Sequence, residues 1–179
     1  MVDETRLVSL ARGGDRGAAG ELVRLHERAV YAVALARLRN ETDAREVAQE
    51  ALVKALLRLD KLRDDTKFGA WSVRIAIRLA ADRKRRAKRL ASLTGENVDP
   101  GKGPMERLLD HERRERLLAE LGRLPEDVRQ IFLLHYVDGA RYARIAELLG
   151  VPEGTIAWKL HRARRSLRTS LSDLVEEDR

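Results

Sequence analysis

The segment from Leu133 to Arg168 predicts two short helices joined by a tight turn, and no other part of the chain restricts the fold as strongly. Apolar residues before the turn repeat at helical spacing. Gly150 can adopt the left-handed conformation that ends a helix, and Pro152 is suited to the first turn of the next one. That second helix carries one acid, Glu153, and five cations: Lys159, Arg162, Arg164, Arg165 and Arg168. The pattern is typical of a helix-turn-helix, whose second helix enters the major groove of DNA; a solvated basic helix packed on a neighbour is the simpler alternative.

The composition favours an all-α protein with a polyanionic partner. The 179 residues, enough for one domain or two small ones, are 44% hydrophobic and only 4% aromatic, with Leu, Ala and Arg prominent. The net charge is +7, and most of the cations are arginines, whose planar guanidinium suits phosphates and guanine edges. A basic ribosomal or membrane-surface protein could share this balance, so charge alone does not decide the function.

Several kinds of site and location are disfavoured. The chain has no cysteine, which excludes disulfides and thiolate metal sites. Its four histidines stand far apart without metal-ligand spacing, so we expect no metal and no cofactor: His26, His111, His135 and His161. No apolar run approaches the roughly 18 residues of a transmembrane helix, and the first residues lack the apolar core of a secretory signal. We therefore expect a cytoplasmic protein without direct membrane insertion.

Composition along the chain predicts two helical domains, residues 1–90 and 105–179, around a linker at 91–104. That linker holds three of the twelve glycines and two of the four prolines. Thr42 or Asp43 can cap the second helix of the first domain. The apolar stripe of the first helix is Leu22, Leu25, Ala29, Ala32, Val33 and Ala36. The predicted elements are a helix from Gly20 to Arg39, a helix from Ala44 to Leu59, a polar loop from Lys61 to Thr66 and a helix from Phe68 to Arg89.

Charge changes sign within the first domain. Residues 41–65 hold seven acids against five bases, whereas residues 67–89 hold nine bases against one acid, Asp82. An acidic helix beside a basic one indicates two partners, a basic protein surface and a nucleic acid. Ordinary solvated faces are the alternative for any single charge.

The chain resembles the extracytoplasmic-function group of bacterial RNA polymerase sigma factors in the order of its motifs. These are an acidic DAREVAQEAL helix, a polar loop, KFGAW followed by IAIRLAADRKRR, a linker, and LPEDVRQIFLLHYVDGARYARIAELLGVPEGTIAWKLHRARRSL. The likeness covers nearly the whole chain. It implies an all-α fold with a sigma2-like bundle and a sigma4-like helix-turn-helix domain joined by a flexible linker. It also implies a chain that binds core RNA polymerase, directs it to promoters and assists melting, without being an enzyme.

The resemblance further implies three sets of site residues. The surface for the clamp of the polymerase's largest subunit comprises Asp43, Glu46, Gln49 and Glu50. The −10 promoter element is bound by a loop that captures a flipped base and by the helix after it: Arg63, Asp64, Asp65, Thr66, Lys67, Trp71, Arg74, Arg78, Arg83, Arg85 and Arg86. Trp71 could equally be a core residue. The −35 element is read by Glu153, Thr155, Ala157, Trp158, Lys159, His161, Arg162 and Arg165. The small core of the second domain comprises Phe132, Leu133, Ile145, Leu148, Ile156 and Leu160.

Further partners implied by the resemblance are the flap of the polymerase's second subunit, promoter DNA and an anti-sigma factor, often a membrane protein. Four positions depart from the family's usual residues. Arg78 stands where Asn is usual, and Ala157 and Trp158 stand where a basic residue and Ser are common. Because Ala cannot hydrogen-bond a base edge and Trp offers a single N–H, we expect either an unusual −35 preference or a Trp158 side chain that packs elsewhere. Leu52 replaces a common aromatic residue and keeps the apolar volume.

Two other functions are compatible with parts of the sequence. A stand-alone transcriptional regulator could carry the same helix-turn-helix behind a sensor or dimerisation domain, but the acidic-then-basic first domain favours the sigma factor. A metal-dependent nuclease or phosphohydrolase could use Asp64, Asp65 or Glu46 with Glu50. No histidine is placed as a general base beside these acids, and the chain has no glycine-rich phosphate loop.

Overall fold

The computed structural model describes residues 3–94 and 108–170, and these residues form helices connected by short turns, with no strand. The eight α-helices are α1 (Glu4–Arg12), α2 (Arg16–Leu38), α3 (Glu41–Leu57), α4 (Phe68–Thr94), α5 (Leu108–Arg123), α6 (Glu126–Tyr136), α7 (Tyr142–Leu149) and α8 (Glu153–Ser170). Two 3-10 turns, Leu59–Lys61 and Asp65–Lys67, lie between α3 and α4. The all-α prediction is confirmed. We refer to α1–α4 as the first domain and to α5–α8 as the second domain.

Polar caps start the first three helices. The side chains of Asp3, Asp15 and Asn40 each accept a hydrogen bond from a backbone N–H in the following turn. The prediction of Thr42 or Asp43 as the cap of α3 is wrong, because Asn40 is extended and its Oδ1 accepts from the Asp43 N–H at 2.9 Å. Helix α3 therefore begins earlier than predicted.

Helix α2 is the central helix of the molecule. Every residue of 29–36 except Tyr31 is buried, because α3 and α4 pack against α2 on one side and α6 packs against it on another. A helix that is apolar on all faces must be surrounded in this way. Leu25 does not belong to the predicted stripe, since its side chain is 42% exposed, and His26 takes the neighbouring buried position instead.

The turn before α4 is anchored by Phe68. This ring is fully buried in a small cluster with Val8, Leu22, Ala55, Leu59 and Leu62. Helix α4 continues to Thr94, five residues beyond its predicted end at Arg89. Residues 95–104 of the predicted linker lie outside the described residues.

The second domain has the predicted helix-turn-helix. Gly150 ends α7 with a left-handed φ of 69°, and α8 begins three residues later. Phe132 is only half-buried, and it stacks on the exposed Tyr136 with ring centroids 4.4 Å apart. The other five predicted core residues are buried: Leu133, Ile145, Leu148, Ile156 and Leu160.

The two domains pack against each other. Helix α6 lies on α2, and α7 lies on α4. One continuous hydrophobic cluster joins buried residues of both domains, from Ala29 in α2 to Leu167 in α8. The sequence did not predict this contact.

Candidate nucleic-acid and protein interfaces

An acidic face runs along one side of α3. It is formed by the four residues predicted there: Asp43, Glu46, Gln49 and Glu50. Glu50 binds Lys54 at 2.6 Å within the helix. The same face continues into two exposed apolar side chains, Val53 and Leu57, of which Leu57 is 77% exposed. Sequence reasoning missed both, although their helical spacing from Glu50 was the available signal.

Arg83 of α4 reaches across to this acidic face. Its Nη2 lies 2.5 Å from Asp43 Oδ1 and 2.7 Å from Glu46 Oε2. Partial burial of the Arg83 guanidinium opposes its charge, but the hydrogen bonds and charges of Glu46 and Asp43 outweigh burial and raise its pKa. Arg83, predicted among the residues that bind the −10 element, is thus engaged with the predicted polymerase surface in this structure.

The loop before α4 is held by its own acids. Asp64 Oδ1 accepts hydrogen bonds from the Thr66 backbone N–H at 3.0 Å and from its hydroxyl at 2.6 Å, and these bonds lower the pKa of Asp64. Asp65 receives two hydrogen bonds from Arg12, at 2.5 and 3.0 Å, which lower its pKa. Arg63 and Thr66 are exposed at the surface of this loop. The carboxylates of Asp64 and Asp65 are therefore bound to groups of the chain itself. This arrangement does not favour the alternative of a metal-dependent enzyme that uses them as ligands.

Arg12 is a residue of this site that sequence reasoning missed. Besides binding Asp65, it donates to the carbonyl groups of Leu59 and Leu62 at 3.3 Å each. No local pattern in the sequence links Arg12 to residues about 50 positions away.

The basic face of α4 begins in the turn before the helix and is formed by Lys67, Trp71, Arg74 and Arg78. The three cations are exposed, whereas Trp71 is half-buried and meets Phe68 edge-on at 6.4 Å. Trp71 thus combines the two roles that the sequence left open, core contact and surface. Further along α4, Arg85 pairs with Asp82, and Arg86 is exposed.

A cavity of about 440 Å³ separates this basic face from α7. Trp71 and Arg74 line one wall, and Glu147 lines the other. Lys67 Nζ lies 3.5 Å from Glu147 Oε1 across the cavity mouth. The remaining lining residues are Lys61, Leu62, Arg63, Asp64, Ala70, Ala146 and Gly150.

Helix α8 exposes one basic and aromatic face. The predicted residues that face outward are Glu153, Ala157, Trp158, His161, Arg162 and Arg165. Thr155 is half-buried, and Lys159 turns back to bind Asp127 at 2.5 Å, a hydrogen bond that lowers the pKa of Asp127. Lys159 is therefore held within the domain, unlike the other predicted cations of α8.

Trp158 and Arg162 form a pair on this face. The Arg162 guanidinium carbon lies 5.6 Å from the centroid of the Trp158 ring, which is 58% exposed as a residue. Arg164 points to the opposite side, where it donates to the Tyr136 hydroxyl at 2.8 Å. The outward face of α8 thus carries a stacked cation and ring that nothing within the described residues covers.

Two searches of the described residues were negative. No cluster of three or more His, Asp and Glu side chains is placed to hold a metal ion in this part of the chain. Among the helices of residues 3–94 and 108–170, none has the length and apolar character to cross a membrane.

Comparison with protein families gives two matches in the order of the two domains. Residues 22–90 match the family described as Sigma-70 region 2, and residues 114–167 match Sigma-70, region 4. The ECF RNA polymerase sigma factor SigW of Bacillus subtilis (strain 168) is 28% identical, over 93% of this chain and 96% of SigW. The ECF RNA polymerase sigma-E factor of Escherichia coli (strain K12) is 29% identical, over 94% of each chain.

Solved structures are similar over both domains. CnrH, in a complex with the cytosolic domain of CnrY, is 27% identical with a TM-score of 0.64, covering 98% of this chain and 99% of CnrH. The sigma factor RpoE from Bartonella quintana, in a complex with the anti-sigma factor NepR, shares the fold with a TM-score of 0.65 at 21% identity, over 86% of this chain and 96% of RpoE.

Proposed function

Because the chain belongs to the extracytoplasmic-function group of the sigma-70 family, we propose a specific task for each of its exposed faces. The acidic face of α3 binds core RNA polymerase, the loop and basic face of α4 bind the −10 element, and α8 reads the −35 element. The chain catalyses no reaction itself, since the polymerase supplies the catalytic site. The observation that supports this division is the presence of one acidic and two basic faces on three separate helices.

The acidic face fits a basic partner surface. Glu46, Gln49 and Glu50 are exposed and need no movement to be reached. Val53 and Leu57 beside them supply apolar area that becomes favourable only when a partner covers it. We assign this combined face to the clamp of the polymerase's largest subunit, where charge complementarity would steer association. The flap of the second subunit is the proposed partner of the second domain.

The loop and the basic face fit a melted strand. Extracting a base from the duplex costs a few kcal/mol, which a pocket and phosphate contacts must offset. Trp71 offers a stacking surface beside the exposed cations Lys67, Arg74 and Arg78. The rigid loop held by Asp64 and Asp65 would present Arg63 and Thr66 to the flipped base.

The outward face of α8 fits the major groove. Arg162 is the cation best placed for a base edge or a phosphate, because it is exposed and stands over Trp158. Trp158 can offer its N–H or an apolar contact to a thymine methyl group. Ala157 can make only apolar contacts, so a −35 preference different from that of its relatives is expected.

An anti-sigma factor is the proposed regulator. The similar structure of RpoE is a complex with the anti-sigma factor NepR, and that of CnrH is a complex with the cytosolic domain of CnrY. We infer that a comparable protein covers the exposed faces of this chain when it is inactive, and that the chain works in the cytoplasm, at the nucleoid when active or held at the membrane by that partner.

Run-off transcription tests the proposal. Purified bacterial core polymerase is assayed with and without the chain on a pool of genomic promoter fragments. Discrete transcripts that depend on the chain are expected, and their start sites define both promoter elements. Absence of transcripts and of core binding, together with a footprint produced by the chain alone, would contradict the proposal.

A further inference from the structure

Arg12, the last residue of α1, spans the loop that precedes α4. Its guanidinium forms two hydrogen bonds with Asp65, from Nη2 to Oδ1 at 2.5 Å and from Nη1 to Oδ2 at 3.0 Å. It also donates to the Leu59 and Leu62 carbonyl groups at 3.3 Å each. Leu59 begins the first 3-10 turn of the loop and Asp65 begins the second, so one side chain joins both turns.

The geometry of these contacts requires an arginine. A guanidinium group is planar and holds its five N–H donors in a fixed arrangement, so it can bind a carboxylate through two parallel bonds and still donate to carbonyl groups. The hydrogen bonds from Arg12 lower the pKa of Asp65, so the carboxylate stays charged. A lysine at position 12 would keep the positive charge but could not hold both carboxylate oxygens and both carbonyl groups in one geometry.

Helix α1 is itself fixed against the first domain. Val8 is fully buried in the cluster around Phe68. At the start of α1, Glu4 Oε1 lies 3.2 Å from Nε2 of the buried His26, whose ring packs on Phe68 with centroids 5.3 Å apart. Arg12 therefore reaches the loop from a fixed support.

The ion pair between Arg12 and Asp65 adds little to the stability of the fold. The two side chains are 36% and 23% exposed, and ion pairs at such positions contribute weakly to global stability. Its loss would leave the buried cluster in place but release the loop, whose Arg63 and Thr66 are exposed. A binding loop that must first become ordered loses both affinity and selectivity.

We propose that Arg12 is a positioning residue for base selection at the −10 element, which holds the loop in the form that receives the flipped base. The inference rests on the proposed function, because that function assigns the loop to this base. Arg12 acts through Asp65 and two backbone carbonyl groups and does not touch the base itself. Helix α1 precedes residue 22, where the match to Sigma-70 region 2 begins, so its part in base selection does not follow from that match.

The preference for individual bases tests the inference with the full chain and core polymerase. Promoter fragments obtained by run-off transcription are altered at each base of the −10 element in turn, and transcript yields are compared between the parent and Arg12→Ala holoenzymes. At the captured base, a preference of about tenfold, typical of one recognised base, should fall to about twofold in Arg12→Ala. Preferences within the −35 element should stay as in the parent. A chain that was only destabilised would lose yield on every fragment by the same factor and keep its base preference.

Two further substitutions on α1 serve as controls. Arg6→Ala removes the same charge from an exposed position of the same helix, so it should retain the base preference of the parent. Arg12→Lys keeps the charge without the paired geometry, so its preference should lie between those of the parent and Arg12→Ala. It also decides the matter if the Arg12→Ala chain forms no active holoenzyme.

Asp65→Asn tests whether Arg12 acts through the carboxylate. Each single substitution, Arg12→Ala or Asp65→Asn, should lower the preference at the captured base. The double variant should lower it no further than the larger single effect, because both changes remove the same contact. Effects that multiply would show that Asp65 meets DNA independently of Arg12, and would overturn the inference.

Limited digestion with trypsin examines the loop without polymerase. Cleavage after Arg63 and Lys67, identified by mass spectrometry, should be up to about fivefold faster in Arg12→Ala than in Arg6→Ala, the effect of losing one partly exposed ion pair. Equal cleavage in the two variants would overturn the inference, since the loop would then not depend on Arg12.

The base preference of the parent in both Arg12→Ala and Arg12→Lys would also overturn the inference, whatever the rate of cleavage. Run-off transcription with the parent chain tests the sigma function separately. If the parent directed no transcripts, the proposed function would fail and the inference with it, which is a different result from transcripts with an unaltered base preference.

Discussion

At the scale of single residues, Arg129 shows how a buried charge is accommodated without a carboxylate. It is 6% exposed, and burial, followed by the positive charge of Arg39, lowers its pKa. Its guanidinium is satisfied by backbone carbonyl groups instead, those of Ala36, Leu121, Gly122 and Leu124. This side chain of α6 thus binds the end of α5, the turn after it and α2.

Arg129→Met tests this role. The substitution keeps apolar volume but leaves buried carbonyl groups without their donor, so we expect the free energy of unfolding to fall by about 3 kcal/mol. Urea unfolding followed by circular dichroism measures the change. Arg89→Met, at an exposed position of α4, should change stability by less than about 0.5 kcal/mol. Equal effects of both substitutions would contradict the role of Arg129.

Asp138 predicts a dependence of stability on pH. Burial raises the pKa of its carboxyl group, although the positive charges of Arg144, Arg28 and His26 act in the opposite direction. The folded state therefore holds the proton more tightly than the unfolded state, whose carboxyl has an ordinary pKa near 3.8. The resulting stability is present below that value and is lost as pH rises through the folded-state pKa.

Asp138→Asn should remove this dependence. We expect the variant to be more stable than the parent at pH 7, because the amide has no charge to bury, and the difference should shrink as the pH falls towards the ordinary range of the carboxyl group. Thermal unfolding over a pH series measures the difference. A difference that grows on acidification would show that the charges of Arg144 and Arg28 outweigh burial.

At the scale of helices, sequence patterns predicted where helices lie and which faces they expose better than which elements pack against each other. Gly150 could be identified as the end of α7 because its left-handed conformation is a local requirement, and the acidic face of α3 followed from helical spacing. Asn40 was missed as a cap because Thr42 and Asp43 have the same local chemistry. The pairing of Arg12 with Asp65 could not be predicted, since it depends on how α1 packs on the loop. The assignment of site residues to DNA and polymerase stays a prediction.

Helix α8 carries cations on its outward face and another exposed cation, Arg164, that is bound to Tyr136 of α6. Arg162→Ala should weaken binding of the holoenzyme to −35 DNA by about 1–3 kcal/mol, the range for one good base contact. Arg164→Ala is the control, because its side chain is bound to Tyr136 and does not lie on the outward face. Competition binding with promoter fragments measures both. A larger loss for Arg164→Ala would show that another face of α8 meets DNA.

The exposed apolar side chains at the end of α3 are expected to contribute to the affinity for core polymerase. Leu57 is largely exposed, so Leu57→Ser should leave thermal stability nearly unchanged. It should weaken binding to core polymerase by about 1–2 kcal/mol, if the side chain becomes covered there. Fluorescence anisotropy of labelled chain titrated with core measures the affinity. Leu117→Ser, at another exposed leucine in the second domain, should not change it.

At the scale of the whole molecule, the junction between the domains determines how the chain unfolds. The hydrophobic cluster that includes Ala36 of α2 also includes Val128 and Leu134 of α6. Loss of one domain therefore exposes apolar surface of the other, which couples their stabilities. Two domains joined only by a linker would unfold independently. The boundaries at residues 90 and 105 stay predictions, because neither domain is defined by its own core alone.

The two tryptophans allow this coupling to be measured. Trp71 lies in the first domain and Trp158 in the second, so the variants Trp158→Phe and Trp71→Phe each report on one domain. With the junction intact, we expect their urea unfolding transitions to coincide, as a cooperative unit requires.

Arg28→Ala combined with Arg37→Ala should separate the two transitions, because both side chains bind the second domain from α2. Arg24→Ala is the control, because the ion pair of Arg24 with Glu21 lies within α2. In this variant the two transitions should still coincide. Transitions that differ even with the junction intact would mean that each domain folds alone. In that case the packing of α6 on α2 would contribute little to the stability of either domain.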